Sequence, residues 1–278
     1  MSSPSDEAPA RAALVRPTAE RLVVGVAALP LVLLLALPLF ALVATLSAHD
    51  FVAGLASPLV WPALRLSLYT TTASLALSVL FGTPLAWVLA RARGRAAAAL
   101  ETLVQLPTVV PPAVAGVALL LTFGRRGLMA GWLGSSGLSV TFTTTAVILA
   151  ELFVSAPFFV QAAVAAFRQL DESLVVVARS FGAGPLRVFL RLAVPLSLPG
   201  LVAGAVMSWA RALGEFGATL MFAGNLPGRT QTLPLAIYTA LEANLATAQA
   251  LSIVLVGVAF ALLLTVRVLV RRGATRSR

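Results

Sequence analysis

Charge is missing from four stretches of this chain that are each long enough to cross a bilayer. No Asp, Glu, Arg or Lys occurs at 22–48, 66–90, 102–124 or 243–266, and about 20 apolar residues span a hydrocarbon core of roughly 30 Å. Two further apolar runs hold isolated charges: Glu151, and the pair Arg211 and Glu215. With 59% hydrophobic and 11% charged residues, the chain reads as an all-α, polytopic membrane protein, because a lipid-embedded backbone must satisfy its own hydrogen bonds. Six transmembrane helices are expected, at 22–46, 66–90, 102–124, 141–164, 195–220 and 243–266. The first run exceeds the apolar region of a signal peptide and lacks a convincing small-residue cleavage site after it, so it is expected to be retained.

The same composition removes several classes of function. There is no cysteine, and the single histidine, His49, lies beside Asp50 in an expected loop. Disulfides, a metal site and a Ser-His-acid constellation therefore have almost nothing to be built from, and no metal or cofactor is expected. All twenty basic residues are arginine. A Walker-type phosphate loop needs its lysine, so this chain cannot supply a P-loop ATPase site of its own. A net charge of +10 is explained by basic cytoplasmic loops rather than by nucleic acid. With the N-terminus inside, fifteen of the arginines fall in cytoplasmic segments, four in outer loops and one, Arg211, within a span. Both termini are then cytoplasmic, in the plasma (inner) membrane.

The expected organisation is a polar, disordered cytoplasmic tail at 1–20, a first span and outer loop at 21–63, a six-helix transmembrane body completed by 64–267, and a basic tail at 268–278. The connection at 165–194, "AAFRQLDESLVVVARSFGAGPLRVFLRLAV", is far longer than joining two spans requires. Asp171 is placed to cap a short helix, with Glu172 in its first turn. That helix carries an apolar face of Leu174, Val177, Ala178 and Phe181, and it meets a stop at Gly182 and Gly184. Pro185 is suited to the first turn of a second helix. Such a structure either rests on the lipid surface or offers an apolar helix to a groove on a cytoplasmic partner.

The segment Asp171 to Pro195 resembles the coupling loop of binding-protein-dependent ABC importer permeases, whose motif runs Glu-Ala-Ala, three residues, Gly, and about a dozen residues to a proline. Val176, Val177 and Ala178 fill the first three positions, Gly182 is the glycine and Pro195 the closing proline. The glutamate is absent, which removes a charged contact but not the shape of the loop. "GTPLAWVLARARGR", "LPTVVPPAVAGVALLLTFGRRG" and "ARALGEFGAT" followed by "GNLPGRTQTLPLAIY" are similar to the permease subunit of molybdate importers, with sulfate and tungstate permeases related. The likeness runs from about residue 60 to 266.

The resemblance implies a type I ABC importer permease fold with a cytoplasmic coupling helix. It implies a homodimer forming one pathway, two cytoplasmic ATP-binding subunits, and a periplasmic or cell-surface anion-binding protein. Contact with the ATP-binding subunit would fall to Leu174, Val177, Ala178, Arg179, Phe181, Gly182, Ala183, Gly184 and Pro195 in the coupling loop, 168–195. The pathway or gate would involve Arg211, Gly214, Glu215, Phe216 and Gly217, with hydroxyls such as Thr70 and Ser208 able to line it; for any single one of those hydroxyls a bond back to its own helix backbone is the stronger expectation.

Arg211 and Glu215, one turn apart, can pair on a helix face. Unpaired at the bilayer centre each would cost about 2.5–3.5 kcal/mol. A helix starting near Leu196 would place them about 22 and 28 Å along it. Glu151 and Glu215 also admit a different class, a proton-coupled secondary transporter, since intramembrane carboxylates mark proton relays.

Overall fold

Prolines and small residues decide where the helices of this chain stop and how closely they approach. A computed structural model describes residues 17–276, so residues 1–16 and 277–278 of the expected tails lie outside the described residues. The chain divides into two units, 1–47 and 48–278. The first contains α1 (Pro17–Ala44), apolar on every side between Leu22 and Ala44. It begins within the stretch expected to be a tail, with Pro17 in the first turn, where its missing N–H costs nothing.

The second unit comprises α2 (Ala48–Leu55), α3 (Val60–Arg91), α4 (Arg95–Gln105), α5 (Pro112–Phe123), α6 (Ala130–Ser135), α7 (Thr144–Arg168), α8 (Glu172–Ser180), α9 (Pro185–Val188), α10 (Val194–Leu213), α11 (Gly217–Ala223), α12 (Leu233–Ala243) and α13 (Leu245–Arg276). The described residues contain no strand. Among the described residues, five helices are long and apolar enough to cross a membrane, or six if α4 and α5 are one broken span.

The single helix expected at 102–124 is divided into these two pieces. After a 3-10 turn at Leu106–Thr108 the chain bends by 111° into α5. Pro111 and Pro112 lack amide donors, and a residue before proline is pushed out of the helical region. The two pieces still lead from one face to the other. Glu101 of α4 pairs with Arg168 at the end of α7. The turn after α5 instead borders the same recess as Thr141 and Phe142, just before α7 begins.

The fifth span differs at both ends from 195–220. It begins at Pro185 and runs through a π-helical turn, Phe189–Ala193, without interruption to Leu213. Pro195, which cannot donate to the preceding turn, accounts for the wide turn just before it. The helix then breaks at Gly214–Phe216, and α11 follows.

α7 is the axis of the second unit, with 56% of its apolar window buried against 28% for α3 and for the Pro185–Leu213 span. Phe159, Val160, Ala163 and Phe167 pack with Ala86 and Leu89 of α3 and Leu201 of α10. Nearer its start, Ala146, Val147 and Ala150 pack with Ala115 and Leu119 of α5 and Phe222 of α11. Gly200 and Gly204 of α10 face Ala166 and Ala162 of α7: a Cβ on either glycine would lie 2.5 or 2.7 Å from the alanine methyl. This is small-residue packing, in which close backbone approach substitutes for a hydrophobic driving force that lipid does not provide.

Candidate functional site

Two places gather the residues singled out by sequence. One is the projection formed by α8, its terminal turn and α9; the other is the break between α10 and α11.

Asp171 caps α8 by accepting the Ser173 amide at 2.8 Å, and that hydrogen bond holds its carboxyl below the usual range. Only Val175 of α8 is buried. Leu174, Val177, Arg179 and Phe181 are exposed, Phe181 at 87%, while Ala178 is half-buried. The helix ends in a Schellman turn: Gly182 donates to Arg179 O at 2.9 Å and Ala183 to Ala178 O at 3.1 Å, with Gly182 at φ 79°, a conformation costly to any residue with a Cβ. Gly184 has φ −65°, so the turn requires the first glycine and not the second. Pro195 is not part of the projection; it lies in the span beyond the π-helical turn.

The projection is braced from beneath. Phe189 packs against Trp87 and Phe167 with ring centroids 5.6 and 6.3 Å away. The Arg91 guanidinium lies 3.4 Å from the Trp87 ring centroid, a cation–π contact. Arg168 bonds both oxygens of Glu101, at 3.3 and 2.8 Å. None of these partners was identified from sequence; aromatic residues near span ends were the only signal. α9 continues into α10, so one helix runs from the projection to Arg211, about 39 Å from Pro185 at 1.5 Å per residue.

At the far end, Glu215 lies beyond the helix rather than on it. Its Oε2 is 2.7 Å from Arg211 Nη2, and its Oε1 accepts the Ala218 amide at 2.8 Å, capping α11. The Glu215 side chain has no exposure, whereas Arg211 keeps 28%. Gly214 is exposed, and Phe216 packs on Tyr238 of α12 at 5.6 Å. A Cβ on Gly217 would meet Pro112, and one on Gly116 would meet Ala218 and Met221, so α11 lies directly along α5.

The hydroxyls expected along a pathway are buried between helices. Thr70 donates to Glu151 Oε1 at 2.8 Å, and Ser208 of α10 donates to Ser155 O of α7 at 3.0 Å. Ser74 donates to Ile148 O at 2.9 Å, and Trp209 Nε1 donates to Thr71 Oγ1 at 2.8 Å. Ser67 accepts the Leu233 amide at the start of α12. The stripe Ser67, Thr70, Thr71, Ser74 and Ser78 on α3 thus faces other helices. Glu151 is 1% exposed, and among the described residues its Oε2 has no hydrogen-bond partner.

The connection at 224–232, missed as structure in the sequence, is tied internally. Thr230 Oγ1 accepts the Leu226 amide at 2.9 Å, and Asn225 and Gln231 both donate to Thr239.

Against this geometry, residues 82–274 match the binding-protein-dependent transport system inner membrane component family. The chain belongs to that family. The permease is 46% identical over 228 residues to the molybdenum transport system permease protein ModB of Mycobacterium tuberculosis, covering 82% of its own length and 86% of the other's. It is 35% identical over 246 residues to the molybdate/tungstate transport system permease protein WtpB of Pyrococcus abyssi, covering 87% and 92%. Its fold is like that of a chain in a bacterial alginate ABC transporter solved with an alginate pentasaccharide-bound periplasmic protein. The TM-score there is 0.70 with 91% of the permease and 95% of that chain covered, at 19% identity. The permease is a multi-pass transport subunit.

Proposed function

We propose that the permease is the membrane-spanning subunit of an ATP-driven importer that carries molybdate, or a related oxyanion such as tungstate or sulfate, into the cytoplasm. Two copies form one pathway. A separate ATP-binding subunit docks on each α8 projection, and a periplasmic or cell-surface anion-binding protein delivers the anion at the opposite face. The names of the related permeases support the substrate. The arginine distribution supports cytoplasmic termini, and the absence of lysine supports an external energy source.

The observation that carries the mechanism is the unbroken helix from Pro185 to Leu213, which joins the exposed projection to the Arg211–Glu215 break. Movement of the projection by the ATP-binding subunits would be transmitted as a rigid-body shift that repacks the break. Thr70 and Ser208 serve as braces of this lever rather than as its lining. Arg211, Gly214 and Phe216, which retain exposure, form the gate, with Glu215 and Gly217 fixing their position.

The test is molybdate uptake into proteoliposomes containing the permease, its ATP-binding subunit and enclosed ATP, with the binding protein outside. Uptake should require hydrolysable ATP and the binding protein. Uptake without ATP, driven by a pH gradient and lost in Glu151→Gln, would establish the proton-coupled reading instead. The orphaned oxygen of Glu151 is the observation in favour of that second reading.

A further inference from the structure

The arginines on the face opposite α8 run against the charge asymmetry of the chain, and three of them sit on adjoining loops. Arg125 and Arg126 follow α5 in the turn Gly124–Gly127 and line a recess of about 580 Å³ together with Leu120, Thr141 and Phe142. Arg229 lies on the loop that follows α11; its carbonyl accepts the Thr144 hydroxyl at 3.0 Å, and the Phe142 ring packs over Gly224 of the same loop.

Arginines after a helix often serve its terminal carbonyls, but here those carbonyls are already engaged. Leu120, Leu121 and Thr122 accept the amides of Gly124, Leu128 and Met129 at 2.8, 2.8 and 2.9 Å. Among the described residues no carboxylate lies within ion-pair distance of Arg125, Arg126 or Arg229. Phe142, a wall of the recess, is held at φ 59°. A bulky residue keeps that conformation only where its surroundings over-determine it, and such positions gather at ligand sites.

We propose that this recess is a binding site for a small tetrahedral oxyanion, held by the guanidinium groups of Arg125 and Arg126, with Arg229 on the adjoining loop. Guanidinium suits this ligand because its planar fork bonds two oxygens at once. The site stands at the outer end of α5, about 18 Å along that helix from Pro112, where α11 begins. An anion held there stands on the outer side of the Arg211–Glu215 break. This inference rests on the oxyanion-import reading and specifies where the permease itself takes up its substrate.

The test uses the purified permease with its ATP-binding subunits and no binding protein, with molybdate as the probe in equilibrium binding. The wild-type complex should bind molybdate with an affinity that weakens as salt rises. Arg125→Gln combined with Arg126→Gln should raise the Kd by about tenfold or more, as expected for loss of hydrogen bonds to a charged group, and Arg125→Lys with Arg126→Lys should lose less. Both arginines are exposed, so assembly with the ATP-binding subunits should persist and serves as the folding control. An unchanged Kd in the glutamine variant, or no binding by the wild-type complex, overturns the site. Loss of binding-protein capture with unchanged molybdate affinity also overturns it and makes the arginines a protein-docking surface. Failure of the import reading looks different: no ATP-dependent molybdate uptake by the wild-type system.

Discussion

The carboxylate of Glu215 is shared between two helices: one oxygen lies 2.7 Å from the Arg211 guanidinium at the end of α10, and the other accepts the Ala218 amide at the start of α11. The first contact offsets the cost of a buried charge, and the second supplies an acceptor to a helix end that would otherwise lack one. The pair therefore fixes the angle at which α11 leaves the long span.

These two roles separate on mutation. Arg211→Ala leaves a fully buried carboxylate without its counter-ion, a class of change that costs about 3–5 kcal/mol, here toward the low end because Arg211 is partly exposed. Glu215→Gln keeps an oxygen for the Ala218 amide and leaves only a partly exposed arginine unpaired. Thermal unfolding of the detergent-purified permease should thus show a larger loss for Arg211→Ala than for Glu215→Gln, with Arg211→Gln combined with Glu215→Gln between them. The reverse order would refute the buried-charge argument.

The α8 projection makes a sharper contrast. Gly182→Asp and Gly182→Arg must place a Cβ residue at φ 79°. They should abolish assembly with the ATP-binding subunit or ATP-driven uptake while membrane insertion persists. Gly182→Asn should be milder, because Asn visits the left-handed region without adding a charge to the docking surface. Gly184→Ala should be close to neutral: its φ is −65° and nothing lies within 4 Å of its added methyl. Pull-down of the ATP-binding subunit with each variant measures the difference, and equal losses at both glycines would contradict the assigned turn.

Much of this architecture was legible in the sequence because its signals are local. Uncharged length marked the spans, Asp171 and Gly182 marked the ends of α8, and a four-residue spacing paired Arg211 with Glu215. The misreadings arise where backbone geometry overrides a continuous apolar pattern. The run at 102–124 stays hydrophobic through Pro111 and Pro112, so composition hides the 111° bend. The run at 195–220 likewise hides the break at Gly214–Phe216. The hydroxyls of α3 could be placed on one stripe by spacing, but only the packing of α7 and α10 reveals that they are spent on Glu151, Ile148 and Trp209. Long-range partners such as Glu101 and Arg168 leave no trace in either segment alone.

The glycines of α10 predict how little space the lever has. A methyl at Gly204 would stand 2.7 Å from Ala162 Cβ, so Gly204→Ala should destabilise the permease by about 1–3 kcal/mol, the range for overpacking a filled interior. Ala162→Gly should recover part of that loss by vacating the position the new methyl enters. Melting temperatures of the two single variants and the double variant form the cycle; strict additivity would show that the two positions do not touch.

Phe181 provides the cleanest separation of docking from folding. Its ring is 87% exposed and it follows the last residue of α8, so truncation removes almost no contact within the permease. An exposed aromatic of this kind is the type of side chain that anchors an interface, where loss of an anchor costs about 2 kcal/mol or more. Phe181→Ala should therefore leave the melting temperature of the isolated permease unchanged while lowering its affinity for the ATP-binding subunit by about thirtyfold or more. Leu174→Ala, 44% exposed on the same helix, should have a smaller effect in the same direction. If both variants bind the ATP-binding subunit as the wild type does, the apolar face of α8 rests on lipid instead, and the long helix from Pro185 is driven from some other contact.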